Sequence, residues 1–293
     1  MLQPNPYLLS NPDDYCRWRD QKLQQYDRPI DPIVEISNPQ TLSAHEHQQI
    51  TSLCQRYNFA IFSCHTPPVE PKPFVHRLGQ AFGLTHLDGN LCADQDNISA
   101  LQVSSTADDK RQDYIPYSNK PLSWHTDGYY NPPEHTIYGM ILYCAQNAAS
   151  GGSNALLDHE IAYLLLREAN PDYIMALMQP NTMTIPANEI EAKAIRPLQT
   201  GPVFSVTPQT KLHMRYTARQ HSIIWYDNDQ TAQARAQLSQ ILHDNPYCFQ
   251  ATLQPGQGLI CNNILHNRSG FQNNAQQHRL IYRARYYDRI LKS

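Results

Sequence analysis

No run of lysine or arginine interrupts this 293-residue chain, and no stretch approaches the ~20 apolar residues that a bilayer-spanning helix needs. The first lack removes the electrostatic footprint of a nucleic-acid binder, and charges that nearly balance, at a net of −3, point the same way. The second removes a membrane-spanning role. C-x-x-C spacing is missing too: the seven cysteines, Cys16, Cys54, Cys64, Cys92, Cys144, Cys248 and Cys261, are odd in number and scattered. That pattern excludes a disulfide frame or a thiolate zinc cage and predicts reduced packing residues. The opening Met1-Leu2-Gln3-Pro4-Asn5 has neither a basic patch nor an apolar core, so neither signal peptide nor anchor is expected and the reading is a cytoplasmic protein. No internal repeat, low-complexity tract or linker divides the chain.

What is present reads as alternating helix and strand. The first 95 residues give a strand at Ile33–Ile36, a helix from Ser43 to about Arg56 opened by a Ser43/Glu46 capping box, a strand from Phe59 to Ser63, and a helix closing at Ala81-Phe82-Gly83. Further on come a strand-like run from Ile137 to Cys144, an apolar helix capped by Asp158 and ended by Asn170-Pro171, a short helix to about Met178, and a helix from Thr231 to His243. Gly256-Gln257-Gly258 marks a tight turn before the buried strand Leu259-Ile260-Cys261. The length is ample for a sizeable core.

Two H-x-D triplets stand out, His86-Leu87-Asp88 and His125-Thr126-Asp127. About one is expected by chance, so context must choose between them. The later one follows the apolar step Pro121-Leu122 on a segment that reads as extended, where side chains two apart project to the same side and can grip one ion. For His86 a surface histidine beside a turn aspartate is the simpler reading. A third ligand is expected at His266, near the end of the strand-like stretch after Cys261. His243 falls in a helical segment and His278 beside the polar run Gln272 to Gln277, which makes both weaker candidates. Two imidazoles and a carboxylate on one face of a metal leave the other face open, the arrangement that holds non-haem Fe(II) for work with oxygen.

Near the C-terminus, alternation puts Arg279, Ile281, Arg283 and Arg285 on one face of a strand and Leu280, Tyr282, Ala284 and Tyr286 on the other. A wet arginine face would be ordinary. An inward one needs anionic partners, because an unpaired buried charge is expensive. The run Lys211 to Arg219 reads as another strand, with His213, Arg215, Thr217 and Arg219 together.

These residues, taken in order, carry a resemblance. Trp124-His125-Thr126-Asp127, the pair Gly151-Gly152, the isolated His266 and Arg279-x-x-x-Arg283 follow one another as in the taurine dioxygenase (TauD/TfdA-like) family of Fe(II)- and 2-oxoglutarate-dependent oxygenases, and the likeness extends over most of the chain. It implies an α+β fold, a double-stranded β-helix (jelly-roll) barrel core flanked by helices, clavaminate synthase-like. It implies a single domain over 1–293, in which a helix/strand part over 1–95 packs on a metal-binding jelly-roll over 96–293 with a helical insertion at about 158–200. His125, Asp127 and His266 would bind iron, and Arg279 would pair with the distal carboxylate of 2-oxoglutarate. Arg283 matches a position that contacts the anionic end of substrate in taurine dioxygenase. Where the family has Gly-Gly-x-Thr this chain has Gly151-Gly152-Ser153-Asn154, so Asn154 is the cosubstrate donor to examine. Arg215 or Tyr216 would line the substrate pocket, a salt-bridged sheet face being the plain alternative. The loop Ser104 to Ser118 is read either as a lid or as a surface connection.

The resemblance implies hydroxylation of an unactivated C–H bond of a small, anionic or amino-acid-like molecule with Fe(II), 2-oxoglutarate and O2, and release of succinate and CO2. Desaturation and oxidative cleavage stay open, as does a homo-oligomer. Two other classes compete: a silent barrel that senses a 2-oxo acid, and a zinc hydrolase using the same triad.

Overall fold

A computed structural model describes residues 5–26, 31–89, 94–103, 114–190 and 193–290. Most of the loop Ser104 to Ser118, and Cys92, lie outside them. The contacts fall into two compact units, one of residues 1–30, 124–134 and 157–248, the other of 31–123, 135–156 and 249–293.

The second unit is built on a six-stranded sheet in the order Ile33–Ile36, Phe59–Cys64, Gln257–Cys261, Gly139–Gln146, Leu280–Tyr286, Ser99–Leu101. The first pair is parallel and the rest antiparallel. The C-terminal strand obeys its alternation: Ala284 and Tyr286 enter a core with Phe62, Phe74, Leu78, Ile141, Tyr143 and Ile260, and Tyr282 packs against it. Helices Ala44–Tyr57 and Pro71–Ala81 supply Ile50, Cys54, Phe74, Val75 and Leu78 to this core.

The capping box forms as its residues require. Ser43 Oγ accepts from Glu46 N–H (3.2 Å), and Glu46 returns the bond by accepting from Ser43 N–H (2.7 Å) and also from Ser37 N–H (2.8 Å). Asn58 then ends the helix in the left-handed region at φ 61°.

A smaller sheet runs in the order Phe249–Ala251, Asn154–Leu157, Leu265–Arg268, Leu122–His125. The turn before the larger sheet's Gln257–Cys261 strand is narrower than Gly256-Gln257-Gly258 suggests. Gly256 alone turns, at φ +90°, while Gly258 is already in the strand, where the Phe62 ring and Leu142 carbonyl leave no room for a side chain.

In the first unit, helix Pro12–Gln24 is opened by Asn11, whose side chain accepts from Asp14 N–H (3.2 Å), with proline in the first turn. Its Lys22 is buried against Asp158 (2.6 Å) and Glu160 (2.7 Å). Asp158 also caps helix His159–Ala169, so one buried cation fastens two helices. Helices Pro171–Leu177 and Asp229–His243 follow, with the short sheet Gln199–Gly201, Met183–Ile185, Ile224–Trp225.

The strand expected over Lys211 to Arg219 is shorter. Leu212–Met214 pairs with Phe204–Val206, after which the chain changes partner. Among the described residues no cysteine forms a disulfide, and no helix is long and apolar enough to cross a membrane.

Candidate metal centre and cosubstrate arginine

His125 ends the strand Leu122–His125 and is buried. The chain that changed partner meets it here. Ala218 N–H donates to Trp124 O (2.7 Å), Thr126 N–H donates to Tyr216 O (3.0 Å), and Tyr216 N–H donates to Thr126 Oγ1 (3.0 Å). This ladder, with His125 bridged to Thr217, keeps residues 124–126 extended. Thr126 is thereby turned toward the ladder while His125 and Asp127 take the alternate direction. Gly128, at φ +68°, reverses the chain directly after the carboxylate, and Asn131 N–H closes the turn on Gly128 O (2.8 Å).

His266 is delivered by asparagine chemistry. Asn262 donates to Asn58 Oδ1 (3.1 Å) and accepts from Ile290 N–H (3.1 Å), and Asn263, left-handed at φ 49°, donates to Ile137 O (2.7 Å). These bonds fix the turn between strands Gln257–Cys261 and Leu265–Arg268. His266 Nδ1 lies 3.0 Å from Ile264 O, so Nδ1 carries the proton and Nε2 is the basic nitrogen.

One ligand atom from each of His125, Asp127 and His266 lies within 4.8 Å of the others, and all three residues are buried. Among the described residues this is the one such group. Its donor set, two imidazoles and one carboxylate, fits a divalent iron with positions left for other ligands. The rival histidines do not converge: His243 and His278 are exposed. The other H-x-D triplet is pulled apart, with exposed His86 on Asp288 (2.8 Å) and buried Asp88 paired with Arg285 and accepting from the Tyr287 hydroxyl (2.8 Å). Asp88 is therefore not a turn residue. It is the internal counter-ion for one arginine of the C-terminal strand.

Arg279 is answered differently. It is buried, and among the described residues it forms no ion pair with a carboxylate. Its backbone N–H donates to Asn273 Oδ1 (3.0 Å), and its guanidinium lies 5.2 Å over the Phe271 ring. Burial pushes the guanidinium down to about 10, the Cys144 thiol working the other way, so it stays cationic at neutral pH. Gly152, at φ +76°, lies against its side chain.

The same Phe271 ring meets a residue that sequence reasoning passed over. Arg268 lies 4.9 Å over the same ring and donates to the carbonyls of Pro116 (3.3 Å), Ser118 (2.8 Å) and Lys120. It follows His266 by two on one strand, and this was its only signal. Burial and then the charge of Arg279 bring it down to about 10.

The remaining expected residues take these places. Arg283 is buried on the C-terminal strand opposite Leu142 and Ser99. Asn154 donates its amide to Asn267 O (2.7 Å), while Asn267 Oδ1 accepts from Ala155 N–H (2.9 Å). Arg215, expected either to line the substrate pocket or to sit in a salt-bridged sheet face, donates to the carbonyls of Met183 (2.9 Å), Gly201 (3.3 Å) and Gln199 (3.0 Å) and so braces the short sheet through carbonyls. Tyr216 is buried beside Trp225, and burial lifts its hydroxyl to about 12.

Known proteins match this arrangement. The model of the taurine catabolism dioxygenase TauD, TfdA family matches residues 20–285. A uridine-5'-phosphate dioxygenase of Amycolatopsis sp. is 31% identical over 172 residues, spanning 56% of this chain and 60% of that protein. The non-haem iron oxygenase OrfP, solved with iron and α-ketoglutaric acid, superposes at TM-score 0.60 with 16% identity over 85% of this chain and 81% of that one. An asparagine oxygenase solved with Fe(II), 2S,3S-3-hydroxyasparagine and succinate gives TM-score 0.57 with 12% identity over 92% and 89%. The fold is the mixed α+β fold of these oxygenases, and the chain belongs to the TauD/TfdA family.

Proposed function

We propose that the protein is an Fe(II)- and 2-oxoglutarate-dependent dioxygenase that hydroxylates an unactivated C–H bond of a small anionic or amino-acid-like substrate. The observation that carries this reading is the convergence of His125, Asp127 and His266. Iron held there, with 2-oxoglutarate and O2, supplies oxidation of a C–H bond while the cosubstrate leaves as succinate and CO2.

The chain's residues do the rest. His266 offers Nε2 because Ile264 O holds the proton on Nδ1. Asp127 fills the carboxylate place, so no halide enters and hydroxylation is favoured over halogenation. Arg279 receives the distal carboxylate of 2-oxoglutarate in the forked geometry of a guanidinium, with Gly152 and Phe271 shaping its surroundings. Asn154 can add a donor only through the amide hydrogen not given to Asn267. Arg283, buried on the same strand, is the candidate for the anionic end of the substrate.

What the relatives act on or were solved with supports this substrate class. One acts on uridine-5'-phosphate, OrfP was solved with L-Arg, and the asparagine oxygenase with a hydroxylated asparagine. All three are small and carry an anionic group. We take this chain to act likewise on a free small molecule, as one domain, in the cytoplasm.

The test is an anaerobic titration with Fe(II) and 2-oxoglutarate followed by visible absorption, then oxygen and a screen of anionic metabolites for coupled succinate. A charge-transfer band followed by succinate release supports the reading. A band without succinate favours the sensor, and zinc with oxygen-independent hydrolysis favours the hydrolase.

A further inference from the structure

The metal-binding turn carries two aromatic side chains directly after Gly128. The Tyr129 ring meets the His125 ring edge-on at 6.5 Å and the Tyr130 ring at 5.1 Å, with planes 82° apart. Both tyrosines are only half-buried. Arg219 donates to the Tyr129 hydroxyl (3.3 Å), and the Arg196 guanidinium lies 5.7 Å over the Tyr130 ring.

Arginines gather around this turn, which also carries the metal-group carboxylate Asp127. Arg215 gives its guanidinium to three backbone carbonyls and Arg219 gives its own to a phenol. Neither forms an ion pair with a carboxylate among the described residues. Burial and then the charge of Arg196 push Arg215 down to about 10, which places two of these cations in one field. Carbonyls and phenols satisfy hydrogen bonds without cancelling charge. An anion would cancel it.

We infer that Tyr129, Tyr130 and Arg219 form the edge that selects the substrate beside the metal ligands, and that they take a planar ring carrying a phosphate or equally charged group. The inference rests on the oxygenase reading and narrows it. Aromatic rings stack on planar heterocycles whatever their pattern of polar atoms. Guanidinium groups match phosphate oxygens in pairs. An aliphatic amino acid fits less well, because its ammonium meets the charge of the arginines and it brings no planar heterocycle to stack on the two rings.

The experiment is isothermal titration of the protein under anaerobic conditions, with and without Fe(II) and 2-oxoglutarate. The probes are uridine, cytidine and adenosine 5'-monophosphates, free uridine, inorganic phosphate, L-arginine and L-asparagine. A 5'-monophosphate is expected to bind at least roughly 10-fold more tightly than its nucleoside or phosphate alone, the worth of one charge-assisted contact. Arg219→Gln and Tyr129→Leu each weaken that binding by about 10-fold, and Tyr129→Phe, which keeps the ring and loses the hydroxyl, weakens it less. Circular dichroism of Arg219→Gln, a change at an exposed residue, controls for folding, and Tyr129→Phe serves if it fails.

Absence of monophosphate binding, tighter binding of the amino acids, or variants that bind as the wild type does would overturn the inference. The two readings part cleanly. A charge-transfer band without nucleotide binding leaves the oxygenase standing and removes the edge. Nucleotide binding with the expected variant pattern but no band does the reverse.

Discussion

Gly152 and Arg279 are fitted to one another: a Cβ placed on Gly152 would stand 3.3 Å from Arg279 Nε and 3.6 Å from Cδ. The backbone at Gly152 is also left-handed, at φ +76°. Any side chain there meets both obstacles. Gly152→Ala is expected to cost about 1–2 kcal/mol of stability from the backbone alone and to raise the 2-oxoglutarate concentration needed for half-maximal turnover. Denaturant unfolding and a cosubstrate titration measure the two effects separately, and an unchanged cosubstrate requirement would detach Gly152 from the Arg279 site.

Asp127→Ala removes the one carboxylate of the metal group. Turnover and iron retention should both fall by more than the roughly 10–100-fold that changes outside the ligand shell produce. Metal analysis after gel filtration, beside succinate assays, reads this out, and a variant that keeps stoichiometric iron contradicts the assignment.

Arg279→Ala deletes a buried cation that forms no ion pair with a carboxylate among the described residues, while leaving the metal group intact. The expected result is a rise in the 2-oxoglutarate KM of roughly 10–100-fold, the worth of a hydrogen bond to a charged group, with iron retained. Arg279→Lys should recover part of the loss, since it keeps the charge but not the fork.

Arg285 and Asp88 test burial without chemistry. Arg285 is 2% exposed and Asp88 5%. Asp88→Ala strands a buried guanidinium and should cost about 3–5 kcal/mol, whereas the double change Asp88→Leu with Arg285→Met should cost clearly less, because no charge is left alone. A double-variant cycle in urea gives both values.

Acid should loosen the second unit first at two carboxylates. Burial works to raise the Glu46 carboxyl, but bonds from Ser37 and Ser43 outweigh it and hold it below its ordinary 4.5. At Asp288, bonds from His86 and Thr85 likewise overcome burial and hold it below 3.8. Each depressed group contributes stability above its ordinary value and loses it as pH falls through the lower, folded value. Melting temperature should therefore drop from about pH 5 downward, and Glu46→Gln should flatten that drop. An identical pH profile in the variant would rule Glu46 out.

Local patterns were readable in the chain wherever neighbours in sequence are neighbours in space. Ser43 and Glu46 cap their helix three residues apart, and the alternation of Leu280–Tyr286 sorts Ala284 and Tyr286 into the core. His125 and Asp127 share a direction because residue 126 lies between them on extended backbone. The family was legible for the same reason, since its motif keeps its order along the chain. Helix Pro12–Gln24 was not, because its buried charge, Lys22, looks like a surface residue until Asp158 and Glu160 are placed beside it. The fate of His86-Leu87-Asp88 was half legible: exposure of His86 was expected, while the pairing of Asp88 with Arg285 depends on a strand almost two hundred residues away.

The sequence by itself determined the ligand types, their order and the periodicities that make helices and strands, because those follow from residue chemistry and backbone geometry over a few positions. Only the tertiary structure decided that His266 meets His125 and Asp127 and that Arg285, among the arginines of the last strand, receives the internal carboxylate of Asp88. Those choices depend on distances closed by packing and on hydrogen bonds made after the chain has folded, and no local pattern encodes either.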